Sequence, residues 1–211
     1  MCSSDLGCGK SELIRAIYGI ERTSTGTIRI GGAPYESPTA RHSLKRGVAY
    51  FPANRIAEGL ALSRPIRENA SMTGLDLPAF ARFGIIRQAA ERVTIAGIMQ
   101  QLQLRPPNIE RSAGALSGGN RQKVMLGRAL TRELTVFLFD EPSVGIDVGA
   151  KLEVYEFMKR LVEAGAAVIV VSSELPEVLA LSNRLYVMHQ GRIAAELTGT
   201  EKTEQIGRAH V

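Results

Sequence analysis

The sequence predicts an α/β protein built around a parallel β-sheet, and three observations support that fold class. A short Gly-rich segment at residues 7–11 precedes a run with helical spacing. Residues 136–139 and 166–171 are continuously apolar, which is typical of strands buried on both faces of a parallel sheet. Because α/β sheets bind ligands at the carboxyl ends of their strands, we expect the functional residues along that edge.

The Gly-rich segment has the composition of a phosphate-binding loop. Small residues let backbone N–H groups approach phosphate oxygens, the Lys10 side chain can reach the β- and γ-phosphates, and the Ser11 hydroxyl can ligate Mg²⁺. The full pattern has glycine at position 4, where this chain has Ser4, so a plain Gly-rich turn is the alternative for this motif alone. The predicted nucleotide contacts in this segment are Gly7, Gly9, Lys10, Ser11 and Glu12.

Two carboxylates follow the apolar run at residues 136–139. Asp140 is placed to hold Mg²⁺ together with Ser11, and Glu141 to orient or deprotonate an attacking water. The alternative is an acidic exit from the strand before Pro142, and the upstream phosphate loop argues against it. We therefore predict that the chain binds ATP with Mg²⁺ and hydrolyses it.

Two further segments begin predicted helices. Ser117, the predicted N-cap of the first, is followed by two glycines, and a helix N-terminus is a ready-made anion site. Because a Ser-Gly-Gly turn before a helix is common, the order of the motifs along the chain decides its interpretation. Asp147 is the predicted N-cap of the second helix. The apolar face predicted for that helix consists of Val148, Leu152, Tyr155 and Val162.

With these motifs in this order, the chain resembles an ATP-binding cassette (ABC) transporter ATPase over nearly its whole length. Residues 116–120 (Leu-Ser-Gly-Gly-Asn) match the family's signature motif, and residues 143–147 resemble its D-loop. The resemblance implies a P-loop NTPase fold: a RecA-like parallel sheet core, an inserted helical signature subdomain and a partial antiparallel β flap. Four segments give a narrower resemblance, to the second nucleotide-binding half of fused importer ATPases for ribose, galactose or xylose. These segments are residues 54–60, 116–123, 145–151 and 171–177.

The resemblance also implies roles for single residues. The signature would close on the γ-phosphate of ATP bound to the partner half, and the nucleotide contacts implied there are Ser117, Gly118, Gly119, Asn120 and, from the D-loop, Asp147. Many family members place a histidine at the position of Ser173, so a hydroxyl stands here where those members contact the γ-phosphate. The predicted catalytic residues are Glu141 and Ser173.

One segment departs from the sugar-importer branch. Ala53 and Asn54 stand where that branch has two acids, which weakens the expectation that this loop couples to the transporter. The partners implied are a second nucleotide-binding half in the same full-length chain, membrane permease subunits and, indirectly, a periplasmic-type sugar-binding protein, with no nucleic acid. The implied location is peripheral, at the cytoplasmic face of the inner membrane.

Two other functions stay open at this point. One is an ABC ATPase that acts on DNA or the ribosome; chromosome-type members need long coiled coils between the phosphate loop and the signature, and residues 10–116 leave no room for them. The other is a degenerate half that mainly completes its partner's ATP site. Ser173 favours a weakened site, whereas Lys10, Asp140 and Glu141 argue against full degeneracy.

The expected organisation is one nucleotide-binding domain over residues 7–205, lacking the strands that precede the phosphate loop in the resembled family. A helical subdomain is expected at about residues 64–130, with a helix near 87–101 whose apolar positions are Ala90, Val93, Ala96, Met99 and Leu102. The termini, residues 1–6 and 206–211, can be back-translated to complementary nucleotide strings resembling a sequencing adapter. We therefore expect both ends to be artefacts.

Composition excludes several classes of protein. The chain is 45% hydrophobic with a net charge of +5, an ordinary balance that a solvated surface explains. No apolar run approaches the roughly 20 residues of a membrane-spanning helix. The two cysteines, Cys2 and Cys8, form no disulfide framework, which agrees with a reducing compartment.

Overall fold

The computed structural model describes residues 8–22, 25–35 and 39–198, so Gly7 and both predicted artefactual ends lie outside the described residues. Along these ranges the main helices and strands follow in the order α1 (Lys10–Tyr18), β1 (Arg29–Ile30), β2 (Ala33–Pro34), α2 (Ala40–Lys45), β3 (Val48–Phe51), α3 (Ile66–Ser71), β4 (Ala81–Arg82), β5 (Ile85–Ile86), α4 (Gln88–Gln101), α5 (Gly118–Ala129), β6 (Val136–Asp140), α6 (Val148–Glu163), β7 (Ala167–Val171), α7 (Leu175–Leu181), β8 (Arg184–His189) and β9 (Arg192–Thr198).

A parallel sheet of order β3-β6-β7 lies at the centre, which confirms the predicted fold class. Its middle strand, β6, pairs on one side with β3 from Val48↔Val136 to Phe51↔Phe139, and on the other side with β7. Because all three strands run in one direction, the residues that follow them gather at one edge of the sheet. Asp140, the last residue of β6, stands at the middle of that edge.

Side chains of the sheet alternate between two cores. On one face, Ile14 of α1 packs with Val48 and Leu138. On the other face, the rings of Phe51 and Phe139 stack at 4.4 Å between centroids and pack against α6 and the helices of the middle segment. This double burial explains why the β6 sequence lacks polar alternation.

The helices α3, α4 and α5 pack on one another. The predicted apolar face of α4 was right at Met99 and Leu102, which are buried, and wrong at its other positions. Val93 is 76% exposed, whereas Glu91 is buried. The Arg67 Nη1 atom donates to Glu91 Oε2 at 2.5 Å, and the Ser71 hydroxyl donates to Oε1 at 2.6 Å. These contacts turn a charged position toward the core, where a buried carboxylate is tolerated because it is paired. The positions actually buried on α4 are Glu91, Ile95, Ile98 and Met99.

The predicted face of α6 was also wrong, although its N-cap was right. The Asp147 side chain accepts from the backbone N–H of Ala150 at 3.0 Å, as a helix N-cap does. Val148 is 76% exposed, because the helix turns its other apolar stripe toward the sheet. That stripe consists of Ala150, Val154, Phe157 and Met158.

The other strands of the described ranges pair as antiparallel hairpins. The hairpin β1–β2 turns at Gly31 and Gly32 with φ of 58° and 79°, values that glycine adopts without strain, and it confirms the predicted flap. The strands β8 and β9 form a second hairpin, and the backbone N–H of Gly191 in its turn donates to the Cys8 carbonyl at 3.1 Å. No helix in the described ranges is long and apolar enough to cross a membrane.

The strand β7 is less buried than its apolar sequence predicted. Within the described residues it pairs only with β6 and therefore forms an edge of the central sheet. Ile169 is 40% exposed, while its neighbour Val170 packs against the larger core. An apolar edge strand with free backbone groups is a template for pairing with another chain.

We expect Ile169→Lys to reduce self-association of the 211-residue chain, because a lysine on an edge strand opposes edge-to-edge pairing. The matched control is Val170→Lys, which places the same charge one residue along but into the core and should unfold the chain. Light scattering and far-UV circular dichroism measure the two effects. Equal self-association of the Ile169→Lys variant and the parent chain would refute a role for this edge.

Candidate functional site

The phosphate-binding loop predicted from sequence leads directly into α1. Gly9 is the N-cap residue with φ of 87°, and a Cβ there would lie 3.2 Å from the Gly191 Cα. Both the left-handed backbone and the close approach of the β8–β9 turn require glycine at this position. Lys10 and Ser11 therefore begin the helix at its positive end, with Glu12 exposed in the first turn.

Asp140 is 3% exposed, and both oxygens of its carboxylate have hydrogen-bond donors. The Ser11 hydroxyl donates to Oδ1 at 2.8 Å and the Tyr50 hydroxyl donates to Oδ2 at 3.0 Å. Burial and the neighbouring carboxylate raise the pKa of Tyr50, so this phenol keeps its proton and remains a donor. A hydroxyl and a carboxylate side by side form the oxygen donor set that Mg²⁺ prefers, so these residues fit the predicted metal.

Tyr50 was missed by the sequence analysis. It lies one residue before the end of β3, and its position on the α1 face follows from the alternation of that strand. Its phenol is the only polar side-chain group on that strand, which is a signal that the sequence contains. What could not be read from sequence is the lateral pairing of β3 with β6 that brings it to Asp140.

Glu141 is held in an unusual conformation by the end of β7. Its φ is 46°, a left-handed value that non-glycine residues rarely adopt. Its backbone N–H donates to the Val171 carbonyl at 2.8 Å. Its carboxylate accepts from the Ser173 N–H at 3.1 Å and from the Ser173 hydroxyl at 2.5 Å. Ser173 therefore contacts the predicted base directly, which the sequence analysis did not foresee.

The phosphate loop and the end of β7 meet at Lys10. Its ammonium donates to the carbonyl oxygen of Ser172 at 3.5 Å. The structure thus brings five of the predicted site residues to one edge of the sheet, namely Lys10, Ser11, Asp140, Glu141 and Ser173. A cation, two hydroxyls and two carboxylates at this edge can bind a phosphate group with a metal and direct a water toward it.

The predicted signature residues form a separate group at the start of α5. Ser117 accepts from the backbone N–H of Asn120 at 3.5 Å and so caps the helix. The Asn120 amide donates to the Arg105 carbonyl at 2.7 Å and accepts from the Arg105 N–H at 3.3 Å, which joins the start of α5 to the loop before it. Among the described residues, no hydrogen bond or ion pair links this group to Lys10 or Ser11.

The two signature glycines lie against the segment that follows Glu141. A Cβ on Gly119 would lie 3.1 Å from the Ala150 Cβ, and one on Gly118 would lie 3.5 Å from the Gly145 carbonyl oxygen. Asp147 lies in the same segment, but its carboxylate is engaged by its own helix. The predicted signature and D-loop are therefore in direct contact within one chain.

Arg55 and Asn54 serve a structural purpose that the sequence analysis did not predict. Arg55 Nη1 donates to Gln122 on α5 at 3.1 Å, and Nη2 donates to the carbonyl of Val144. Asn54 caps a short π-helical turn by accepting from the Ile56 and Ala57 N–H groups. The segment after β3 thus joins α5 to the loop that follows Glu141.

A protein-family model described as ABC transporter matches residues 5–144. The chain is 39% identical over 90% of its length to the ribose import ATP-binding protein RbsA of Chromobacterium violaceum and spans 37% of that protein. It is 38% identical over 97% of its length to a putative ribose/galactose/methyl galactoside import ATP-binding protein of Burkholderia ambifaria and spans 41% of it.

Solved structures agree in fold. A nucleotide-free ATP-binding cassette from an ABC transporter superposes with a TM-score of 0.77 at 22% identity, covering 95% of this chain and 80% of that one. The ATP-binding cassette MJ1267 in its ADP conformation gives 0.75 at 22% identity, covering 94% of this chain and 79% of that chain. At this level of identity the likeness shows the fold.

We expect Gly119→Ala to destabilise the chain by about 1–3 kcal/mol, because the new methyl overpacks the contact of α5 with Ala150. Gly118→Ala is the matched control: its methyl has ordinary van der Waals space, and the change should stay within about 1 kcal/mol. Urea unfolding of the two variants measures the difference. Equal midpoints would show that the α5–α6 contact is loose.

Proposed function

The chain belongs to the ABC transporter family, and on that premise we propose that it binds and hydrolyses ATP to power the import of a simple sugar. The observation that carries the proposal is the convergence of Lys10, Ser11, Asp140 and Glu141 at the carboxyl end of β6. The sugar comes from the relatives, which are named as ribose or galactose import ATP-binding proteins.

In the proposed mechanism, the residues of this chain bind the phosphates and orient water. Lys10 and the N-terminus of α1 hold the β- and γ-phosphates electrostatically. Ser11 and Asp140 would hold Mg²⁺, which, when bound, neutralises charge on the phosphate oxygens. Tyr50 fixes the second oxygen of Asp140.

Glu141 is the proposed base that takes a proton from the attacking water. Ser173 donates to both of its oxygens, and these contacts keep the carboxylate aimed. A hydroxyl at position 173 supplies no positive charge to the γ-phosphate. We therefore propose slow turnover at this site, and a half that mainly completes its partner's site is the second candidate function.

The signature group is proposed to act on ATP held by the partner half. Its twelve-residue helix α5 begins with Ser117, Gly118 and Gly119 and makes no described contact with Lys10. A helix N-terminus with small residues suits an anion brought by another molecule. Asn120 and Asp147 are proposed to stabilise this surface through Arg105 and Ala150, since their side chains are engaged there.

The proposed membrane partner is a permease subunit, with a sugar-binding protein acting through it. A cavity of about 220 Å³ lies between the central sheet and α5; its lining includes Tyr18, Pro52, Met72, Met125 and Arg128. Pro52 precedes the loop where Ala53 and Asn54 replace the expected acids, so a contact there would carry less negative charge. The proposed location is the cytoplasmic face of the inner membrane. We propose no nucleic-acid partner.

We further propose that residues 7–205 are one nucleotide-binding domain with its helical part at about 64–130, as the packing of α3, α4 and α5 supports. The longest described helix between Lys10 and Leu116 is α4, with 14 residues. That length disfavours the coiled coils of ABC ATPases that act on chromosomes.

The roles of Lys10 and Glu141 can be separated in the complete ATP-binding protein that carries this sequence. We expect Glu141→Gln to keep Mg-ATP affinity within about twofold and to lower the hydrolysis rate of this site about 100-fold or more, because the amide cannot act as a base. We expect Lys10→Ala to weaken ATP binding itself, because a cation is lost from the phosphates. Equilibrium binding and single-turnover hydrolysis are the measurements.

Lys45→Ala, which removes an exposed lysine at the end of α2, is the control for loss of positive charge. Equal loss of ATP affinity in the Glu141→Gln and Lys10→Ala variants would contradict the assigned roles. A wild-type protein that binds ATP and does not hydrolyse it at this site would favour the second candidate function.

The different roles proposed for the two nucleotide-binding halves can be tested separately. We expect Gly119→Asp to abolish most steady-state ATPase activity of the reconstituted transporter, because its carboxylate repels the γ-phosphate in a dry cleft. Gly119→Ala separates this charge effect from the steric contact with Ala150 and should lose much less activity. Glu141→Gln should cost less than the equivalent change in the partner half; the opposite order would make this half the main catalytic site.

A further inference from the structure

A second carboxylate, Glu177, is buried beside the site without a role in the mechanism above. It lies on α7 and is 4% exposed. Its Oε2 atom accepts from the Ser143 hydroxyl at 3.0 Å and also from the Ser172 hydroxyl. Its Oε1 atom is buried and has no hydrogen-bond partner among the described residues.

The two serines bound by Glu177 belong to the segments on either side of Glu141. Ser143 follows it by two residues in the chain and is itself buried. Ser172 is the residue after β7: its carbonyl accepts from Lys10, and the next residue, Ser173, binds the Glu141 carboxylate. The buried Glu177 carboxylate therefore connects the loop that follows Glu141 in the chain to the segment after β7, whose Ser173 binds the Glu141 carboxylate.

A purely structural purpose explains this arrangement poorly. Burying a carboxylate is costly, and both hydroxyl donors described above bind the same oxygen, Oε2. Tyr155 of α6 adjoins the cluster, and burial together with the nearby Glu177 carboxylate raises the pKa of its phenol to about 12. Hydrogen bonds to a charged acceptor are about twice as strong as neutral ones, so the charge of Glu177 holds both serine hydroxyls firmly.

We propose that Glu177 is a positioning residue for ATP hydrolysis. It holds Ser143 and Ser172 in place by hydrogen bonds, so that Ser173 keeps the Glu141 carboxylate aimed at the attacking water. The inference rests on the proposed function, because it needs Glu141 to act on bound ATP. Glu177 itself touches neither Glu141 nor Lys10 in the described contacts, so its effect passes through the serines.

The test is a set of variants in the complete ATP-binding protein, measured for kcat, KM and ATP affinity. Glu177→Gln keeps the shape but removes the charge, and we expect kcat of this site to fall about threefold to tenfold with KM and ATP affinity within about twofold. Glu156→Gln, an exposed acid on α6, is the charge control and should equal wild type. Ser172→Ala removes the same contact from the other side without burying a new group and should lose as much as Glu177→Gln.

A double variant separates positioning from stability. Because Glu177 acts through Glu141, adding Glu177→Gln to Glu141→Gln should cause no further loss of kcat, whereas two independent effects would multiply. Multiplied losses, or a lower melting temperature with unchanged kcat per folded molecule, would overturn the positioning role. An active wild type with unchanged kcat in both the Glu177→Gln and Ser172→Ala variants would overturn this inference alone. A wild type that hydrolyses no ATP would overturn the proposed function and this inference with it.

Discussion

The pairing of β6 between β3 and β7 is the constraint on which the rest of the structure depends. It buries Phe137, Leu138 and Phe139 completely and separates the two cores of the molecule. It also fixes Asp140 at the centre of the carboxyl edge, where Tyr50 arrives from β3 and Ser173 from the segment after β7. A chain with the same motifs but another strand order would scatter these groups.

Polar contacts at this edge of the sheet offset the cost of burying a carboxylate and of straining the backbone. Asp140 can stay buried because two hydroxyls saturate its carboxylate, and the strained backbone of Glu141 is held by the Val171 carbonyl and by Ser173. Such conformations persist only where the surroundings determine them fully. The cluster around Glu177 extends the same network one layer further from the proposed nucleotide site.

Close contacts join the start of α5 to the segment that follows Glu141. Gly119 lies against Ala150, and Arg55 links Gln122 to the loop after Glu141. These contacts tie the start of α5 to the segment that follows the predicted base. A displacement of α5 would therefore reach the Asp140–Glu141 segment through packed atoms and hydrogen bonds.

The sequence by itself determined the parallel sheet, the antiparallel flap, the caps at Ser117 and Asp147, and the family. These follow from local chemistry: strand composition, turn residues and motif order. Only the tertiary structure decided which faces of α4 and α6 are buried, since both helices carry apolar residues on more than one side and a paired Glu91 displaced Val93 from the core. It also decided the exposure of β7, the meeting of Tyr50 with Asp140, and the burial of Glu177, because each depends on neighbours that lie far away in the chain.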